Sequence, residues 1–576
     1  MARPSSNSVL STTLALIALQ LSSRLLSFSL NQLLLRSVSP SAFGLATIQL
    51  DTLIGTVLFL LREGIRGAVV RTRTPHRTLP RSRTFLLPTF FSPLALLAFF
   101  LYSRFSSPSP LPVFYTPTLA LYALSTLLEL FSEPRYLLSL ENWEDLTAKR
   151  VKVEGAAVMV KALVTLAVVK RVSEADALVA FGAGQLAYSA TICAGLAWIT
   201  RGYSARPDPS NSSSSSAAAA VKTPAPSAAP DPRFDPALLS LSWALTKQSA
   251  VKQLLTEGDK LGVGKFGSGE DMGGYAVALN YGSLIARILF QPLEESSRLY
   301  FSSLATTSTA PSLPTLLSLS TYLHLLLLLH THLALLFLLL APSYTTPLLT
   351  LLLGRAWAST AGPSLRAYCL SLPFLGLNGL IEAFFQSLAS PRWIARGSAW
   401  MVVCALGFAA ATGLFVGALG WGARGLVAAN CVNMALRIGF STRFMRAFFR
   451  DGLGGASPAA AGPHAQAQTQ EVKRHLAPSS WTPNKATLLV FVVGAWVVRA
   501  SEGRWTAAMS AAGVGAGAGR LAGLRALAEH LGVGAAVGVS CLGVVYATRK
   551  DEVRSLVAAI KHGPSGEGQE DGKKDE

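Results

Sequence analysis

Apolar runs long enough to cross a bilayer recur along almost the whole chain, and this recurrence constrains its fold more than any single motif. A spanning helix needs roughly 20 consecutive, mostly apolar residues. Such runs centre near Ala18, Gly55, Ala95, Leu121, Leu163, Gln185, Thr246, Leu284, Leu328, Leu377, Leu406, Asn433, Val493 and Val537, which predicts an all-α membrane protein of about fourteen transmembrane helices. Only 14% of residues are charged, where soluble domains carry about 25%; a soluble enzyme is excluded. The first run, Val9 to Leu35, is too long for a cleaved signal segment and reads as a span. Tyr344–Gly354 is apolar but short, an extension or a re-entrant turn. Several spans carry many Ser, Thr, Gln and Asn residues, which suits helices lining a polar interior.

The net charge of +19 raises the question of nucleic acid. No nucleic-acid-binding motif accompanies the basic residues, which sit mostly between apolar runs, where Lys and Arg set orientation in the membrane. Arg62, Arg66, Arg71, Arg73, Arg77, Arg81 and Arg83 follow the second run, whereas the neighbouring loops offer little beyond Arg36 and Arg104. Positive-inside puts that loop in the cytosol, and alternation then makes both termini cytosolic. The loop with Arg504, Arg520 and Arg525 is the exception. Ser204–Asp235, Gly452–Pro483 and Gly563–Glu576 hold too few apolar side chains to offset ordering entropy and read as linkers and a tail. The sequon Asn211-Ser212-Ser213 falls in the first, on the cytosolic side, and is expected unmodified. The chain ends Lys573-Lys574-Asp575-Glu576, a dilysine retrieval pattern that cytosolic coat proteins read on endoplasmic reticulum proteins. No cysteine lies in a CxxC or Cys/His spacing, so neither disulfides nor a metal site is expected.

An internal repeat organises the spans. Gln49 to Arg66 reads QLDTLIGTVLFLLREGIR and Asn280 to Ser297 reads NYGSLIARILFQPLEESS. Without gaps, Leu53, Ile54, Leu58, Phe59 and Glu63 face Leu284, Ile285, Leu289, Phe290 and Glu294. Six spans separate the copies, an even number, so the halves share one orientation. The predicted organisation is an N-lobe at 1–203, a disordered linker at 204–236, a C-lobe at 237–451, a cytosolic linker at 452–483, a terminal helix pair at 484–562 and a tail at 563–576. In transporters built on such repeats the substrate site lies between the lobes near the midplane.

Ionisable groups inside spans cost about 2.5–3.5 kcal/mol at a helix centre on insertion scales, so each is a functional candidate. Arg24, Lys247, Arg287 and Arg437 are the cations proposed to meet a polyanionic headgroup, because guanidinium forks match phosphate oxygens. Lys161, Lys252 and Arg437 are weighed evenly against snorkelling to an interface. Asp51 is expected to pair with Arg24 rather than bind a coupling cation. Arg62, Glu63 and Arg66, with Glu294, Glu295 and Arg298, form matching clusters, read as a latch of ion pairs between lobes or as static anchors. Glu129 and Glu133 lie one helical turn apart, as do Asn378 and Glu382, but neither pair has a nucleophile or metal partner for catalysis. His324, His330 and His332 lack metal-ligand spacing, and the Gly264-Lys265 pair lacks the rest of a phosphate loop, so no cofactor is expected.

The stretches LNQLLLRSVSPSAFGLATIQLD from Leu30, LFLLREGIR from Leu58, LYALSTLLELFSEPRY from Leu121, KQLLTEGDK from Lys252, YGSLIARILFQPLEESSR from Tyr281 and NGLIEAFF from Asn378 resemble, in the same order, the Rft family of eukaryotic oligosaccharide-lipid translocation proteins. That family sits in the superfamily of multidrug extruders and the bacterial lipid II flippase. The resemblance implies two six-helix lobes around a cavity and a terminal helix pair. It also implies a membrane-embedded, non-enzymatic role in moving dolichol-pyrophosphate-linked oligosaccharide from the cytosolic to the lumenal leaflet during N-glycan assembly. The partners would be that cargo and membrane lipids. The runner-up is a non-transporting lipid-binding or scaffolding role in the same pathway. A cation-coupled extruder lacks its paired carboxylates here, and short lumenal loops leave a glycosyltransferase little room.

Overall fold

The computed structural model describes residues 29–71, 84–105, 114–202, 236–305, 312–455, 462–511 and 518–554, and all regular structure among them is helical. Each candidate span centre from Gly55 onward falls inside a helix. Ala18, the loop arginines Arg73, Arg77, Arg81 and Arg83, the sequon at Asn211 and the tail Lys573-Lys574 lie outside the described residues. Among the described residues, 7 segments are long and apolar enough to cross a membrane by length and composition. Helices suit that setting because they satisfy their own backbone groups.

The first of two compact units ends at Gly273. It holds α1 (Asp51–Arg71), α2 (Ser92–Phe105), α3 (Tyr115–Glu141), α4 (Trp143–Val169), α5 (Leu178–Ile199) and α6 (Pro236–Phe266), and the division falls within α7 (Gly269–Ile285). The contact boundary therefore lies inside α7 rather than in the linker after span six, because α6 packs along α1. Small residues permit that packing: a Cβ on Gly64 would stand 2.6 Å from the Ser242 carbonyl oxygen and 3.0 Å from the Thr246 nitrogen. Pro134 sits inside α3; lacking an N–H, it frees the carbonyl one turn back, at Leu130. Thr89 Oγ1 donates to that oxygen at 3.2 Å.

The second unit holds α8 (Gln291–Ala305), α9 (Leu313–Leu352), α10 (Arg355–Leu388), α11 (Pro391–Thr412), α12 (Gly422–Gly455), α13 (Pro463–Leu476), α14 (Lys485–Ala511) and α15 (Ala518–Thr548). Its core gathers Phe301, Leu316, Phe384, Phe444, Phe449 and Val472 from five helices. Helix α9 runs on to Leu352, so the short apolar segment from Tyr344 is an extension. Pro347 frees the Ser343 carbonyl, which faces His530 Nε2 at 3.4 Å, while Ser501 Oγ meets His530 Nδ1 at 2.8 Å. Tyr344 stacks on the same ring at 4.3 Å and donates to its carbonyl at 2.6 Å, which docks α14 and α15 on α9.

The Gly452–Pro483 tract corrects its sequence reading. It contains α13, whose Val472 is fully buried in the core, with Leu476 and Trp481 packed beside it. Arg549 then donates to the carbonyls of Ser480 and Thr482, each at 3.0 Å. Average composition hid one narrow apolar face, which a neighbouring helix covers.

Candidate functional site

Helical spacing builds the site in the first unit. Arg62 and Arg66 stand four residues apart on α1, as Glu129 and Glu133 do on α3, so each pair shares one face. Arg62 Nη1 lies 2.9 Å from Glu129 Oε2 and 3.9 Å from Glu133 Oε2. Arg66 grips Glu133 with two nitrogens: its Nε pairs with Oε1, and its Nη2 donates to Oε2 at 2.6 Å. Tyr136 stacks beneath the Arg66 guanidinium at 3.7 Å. The Glu129 and Glu133 side chains are only 6% and 1% exposed. A charge so buried persists only when paired and hydrogen-bonded.

The network continues through neutral groups to a second ion pair. Glu129 Oε1 accepts from Ser189 Oγ at 3.0 Å and from Gln185 Nε2 at 3.3 Å, both on α5. The other end of the Gln185 amide accepts from Lys161 Nζ at 2.8 Å. Lys161 lies 3.3 Å from Asp51 Oδ1, which also accepts from the Tyr122 hydroxyl at 2.9 Å. A Cβ on Gly184 would stand 3.0 Å from the Lys161 carbonyl oxygen, so that glycine lets α5 approach α4 closely enough for Gln185 to reach Lys161. Exposure rises along the chain to 30% for Lys161 and 34% for Asp51, which makes that end the accessible one.

The second unit carries a related centre. Leu127–Phe131 reads LLELF and Leu380–Phe384 reads LIEAF, which sets Glu382 on α10 where Glu129 stands on α3. Glu382 pairs with Arg437 of α12 and accepts from Asn378 Nδ2 at 3.1 Å and Gln386 Nε2 at 3.0 Å. On α8, Arg298 pairs with Glu294 at 2.7 Å and Gln291 donates to Glu295 at 3.0 Å, both contacts within one helix.

Several expected residues fall differently. Arg24 lies outside the described residues, so the pairing expected for Asp51 does too; the described partners of Asp51 are Tyr122 and Lys161. Arg287 is described only through the backbone of the π-helical turn Ala286–Phe290. Lys247 is exposed, 5.8 Å from the Trp243 ring. Arg62 and Arg66 turn to α3 of their own unit, with Glu63 between them on α1. Sequence reasoning noted Glu129 and Glu133 but gave them no partner, and it missed Tyr122, Gln185 and Ser189. The signal available was two matched four-residue spacings of opposite charge, on α1 and α3.

Apolar outer faces and ionic pairs held inside membrane-length helices define a multi-pass, all-helical membrane protein. Its fold is that of a solved structure titled "Lipid II flippase MurJ, inward closed conformation", with a TM-score of 0.54 over 93% of this chain and 98% of that one, at 12% identity. The family model described as "Rft protein" matches residues 8–558, and the chain belongs to that family. It is similar to the proteins named "Man(5)GlcNAc(2)-PP-dolichol translocation protein RFT1" of several organisms. Identity is 32% to that of Eremothecium gossypii, covering 75% of this chain and 81% of the relative. It is 30% to that of Saccharomyces cerevisiae, over 75% and 81%. For the Mus musculus protein it is 28%, over 76% and 81%.

Proposed function

We propose that this protein translocates a dolichol-pyrophosphate-linked oligosaccharide, of the Man5GlcNAc2 class, from the cytosolic to the lumenal leaflet of the endoplasmic reticulum membrane for protein N-glycosylation. The observation that carries the reading is the family match over nearly the whole chain, together with relatives named for that translocation. Unassisted crossing would drag phosphate charge and many hydroxyls through hydrocarbon, at a cost of several kcal/mol for each unpaired polar group. Polar and cationic side chains held at membrane depth replace that hydration.

The reading takes the chain as fourteen spans: two six-helix lobes in tandem and a terminal pair, with both termini cytosolic. Arg24, Lys247, Arg287 and Arg437 contact the pyrophosphate in it, and Lys161, part-exposed beside Asp51, joins them. Arg437 does so by exchanging Glu382 for a phosphate oxygen, and Lys161 by exchanging Asp51. The ion pairs of Arg62, Arg66, Glu294 and Arg298 brace their own units, with Glu63 and Glu295 on the same helices. The dilysine tail returns the protein to the endoplasmic reticulum through coat proteins.

Binding to the purified chain tests the cargo class. Dolichol-pyrophosphate-linked oligosaccharide is expected to bind at least tenfold tighter than uncharged dolichol, and Arg24→Ala with Arg287→Ala is expected to erase the difference. Equal binding of charged and uncharged lipids would overturn the reading.

A further inference from the structure

Three arginines crowd the seam between α11 and α12 in the second unit. Trp393 of α11 packs edge-on against Phe444 at 5.3 Å and Phe440 at 6.0 Å, both on α12. Two turns along, Trp400 stacks on Phe440 at 5.8 Å and donates its indole N–H to the Leu436 carbonyl at 3.0 Å. These contacts fix the register of the two helices. Arg392 and Arg396 therefore stand beside Arg443, which directly precedes Phe444. All three arginines are exposed. Among the described residues, none has a carboxylate within ion-pair range.

The surroundings identify what such a cluster meets. Beyond Arg396, α11 turns an apolar face outward, with Val402, Val403 and Leu406 exposed, as befits a helix against lipid. Arg396 lies over the Trp393 ring at 5.4 Å, which holds its guanidinium at the level of an interfacial indole. A cationic group at the end of a lipid-exposed face meets lipid headgroups, and guanidinium forks bind phosphate oxygens in bidentate fashion. Three positive charges without a carboxylate select a headgroup with net negative charge over a zwitterionic one. The geometry points to a binding site for the headgroup of an anionic phospholipid at the α11–α12 seam, with Arg392, Arg396 and Arg443 on its phosphate and the acyl chains along α11. This assignment does not rest on the cargo proposed above.

The test uses the full-length protein in nanodiscs of equal phosphatidylcholine and phosphatidylserine, with retained lipid read by native mass spectrometry. A basic side chain near an anionic surface strengthens association about fivefold. Wild type is expected to retain phosphatidylserine over phosphatidylcholine. Arg392→Gln with Arg396→Gln and Arg443→Gln is expected to lower that preference about tenfold or more. The control Arg504→Gln with Arg525→Gln, also at exposed arginines, is expected to keep it. Should the triple variant fail to fold, Arg396→Gln alone is expected to lower it about fivefold. Equal retention of the two lipids by wild type, or an unchanged preference in the arginine variants, would overturn the assignment.

Discussion

Removing Glu133 is expected to destabilise the first unit more than any other single change in its charge network. The carboxylate is 1% exposed, and Arg66 keeps only 19% of its side-chain surface open. Breaking one partner of a buried pair costs about 3–5 kcal/mol, because the remaining charge is stranded. Arg66 retains some exposure and the Tyr136 ring at 3.7 Å, so the lower end applies, about 3 kcal/mol. That lowers the folded-to-unfolded ratio by roughly 150-fold. Glu133→Leu, Arg66→Met and their combination, followed by unfolding of the purified protein in detergent, form a double-mutant cycle. The double variant is expected to recover most of the loss, since no unpaired charge remains buried. A Glu133→Leu protein within about 0.5 kcal/mol of wild type, or a double variant as unstable as the sum of the singles, would show that no stranded charge is at stake in this pair.

Further outcomes follow from other contacts. Lys161→Met is expected to reduce cargo translocation at least tenfold in reconstituted vesicles while Lys161→Arg keeps part of it, because the site requires a cation beside Asp51 and Gln185. Gly64→Val is expected to cost about 1–3 kcal/mol or more in thermal unfolding, since its side chain would meet backbone atoms of Ser242 and Thr246. Burial, outweighing the opposing pull of Glu471, lowers the pKa of His475, which stacks on His324 at 5.1 Å and faces Ser320 Oγ at 3.2 Å. A depressed folded pKa means that its contribution is intact above about pH 6.5 and is lost as pH falls through the folded value. Amide exchange across Pro463–Leu476, corrected for intrinsic rates, is therefore expected to quicken on acidification to pH 5 and to change little above pH 7.

The helices were legible because bilayer length imposes a coarse, repeated signal: each run from Gly55 to Val537 became a helix. Tertiary economy was harder to see. The α13 tract averages to a linker, yet Val472 and Leu476 suffice to seat it once α9 offers a surface. In the same way, α6 follows a long linker in sequence but packs on α1 through Gly64, a contact between helices far apart in sequence that no local pattern marks. At the site, the charged residues were visible as expensive positions in apolar runs, but their partners were not. Arg62 and Glu129 are 67 residues apart. Gln185, Ser189 and Tyr122 carry no charge, and nothing local marks them as links between Glu129, Lys161 and Asp51.

Movement of a pyrophosphate-linked oligosaccharide lipid between leaflets is measured in sealed vesicles. Purified protein is reconstituted with Man5GlcNAc2-PP-dolichol, and a mannose-binding probe added outside counts accessible cargo over time. Cargo from the inner leaflet is expected to become accessible far faster than in protein-free vesicles, and Lys161→Met is expected to slow it. Accessibility fixed at the outer-leaflet fraction, with properly folded protein present, would show that the protein does not move the cargo and would leave it a supporting role in the same pathway.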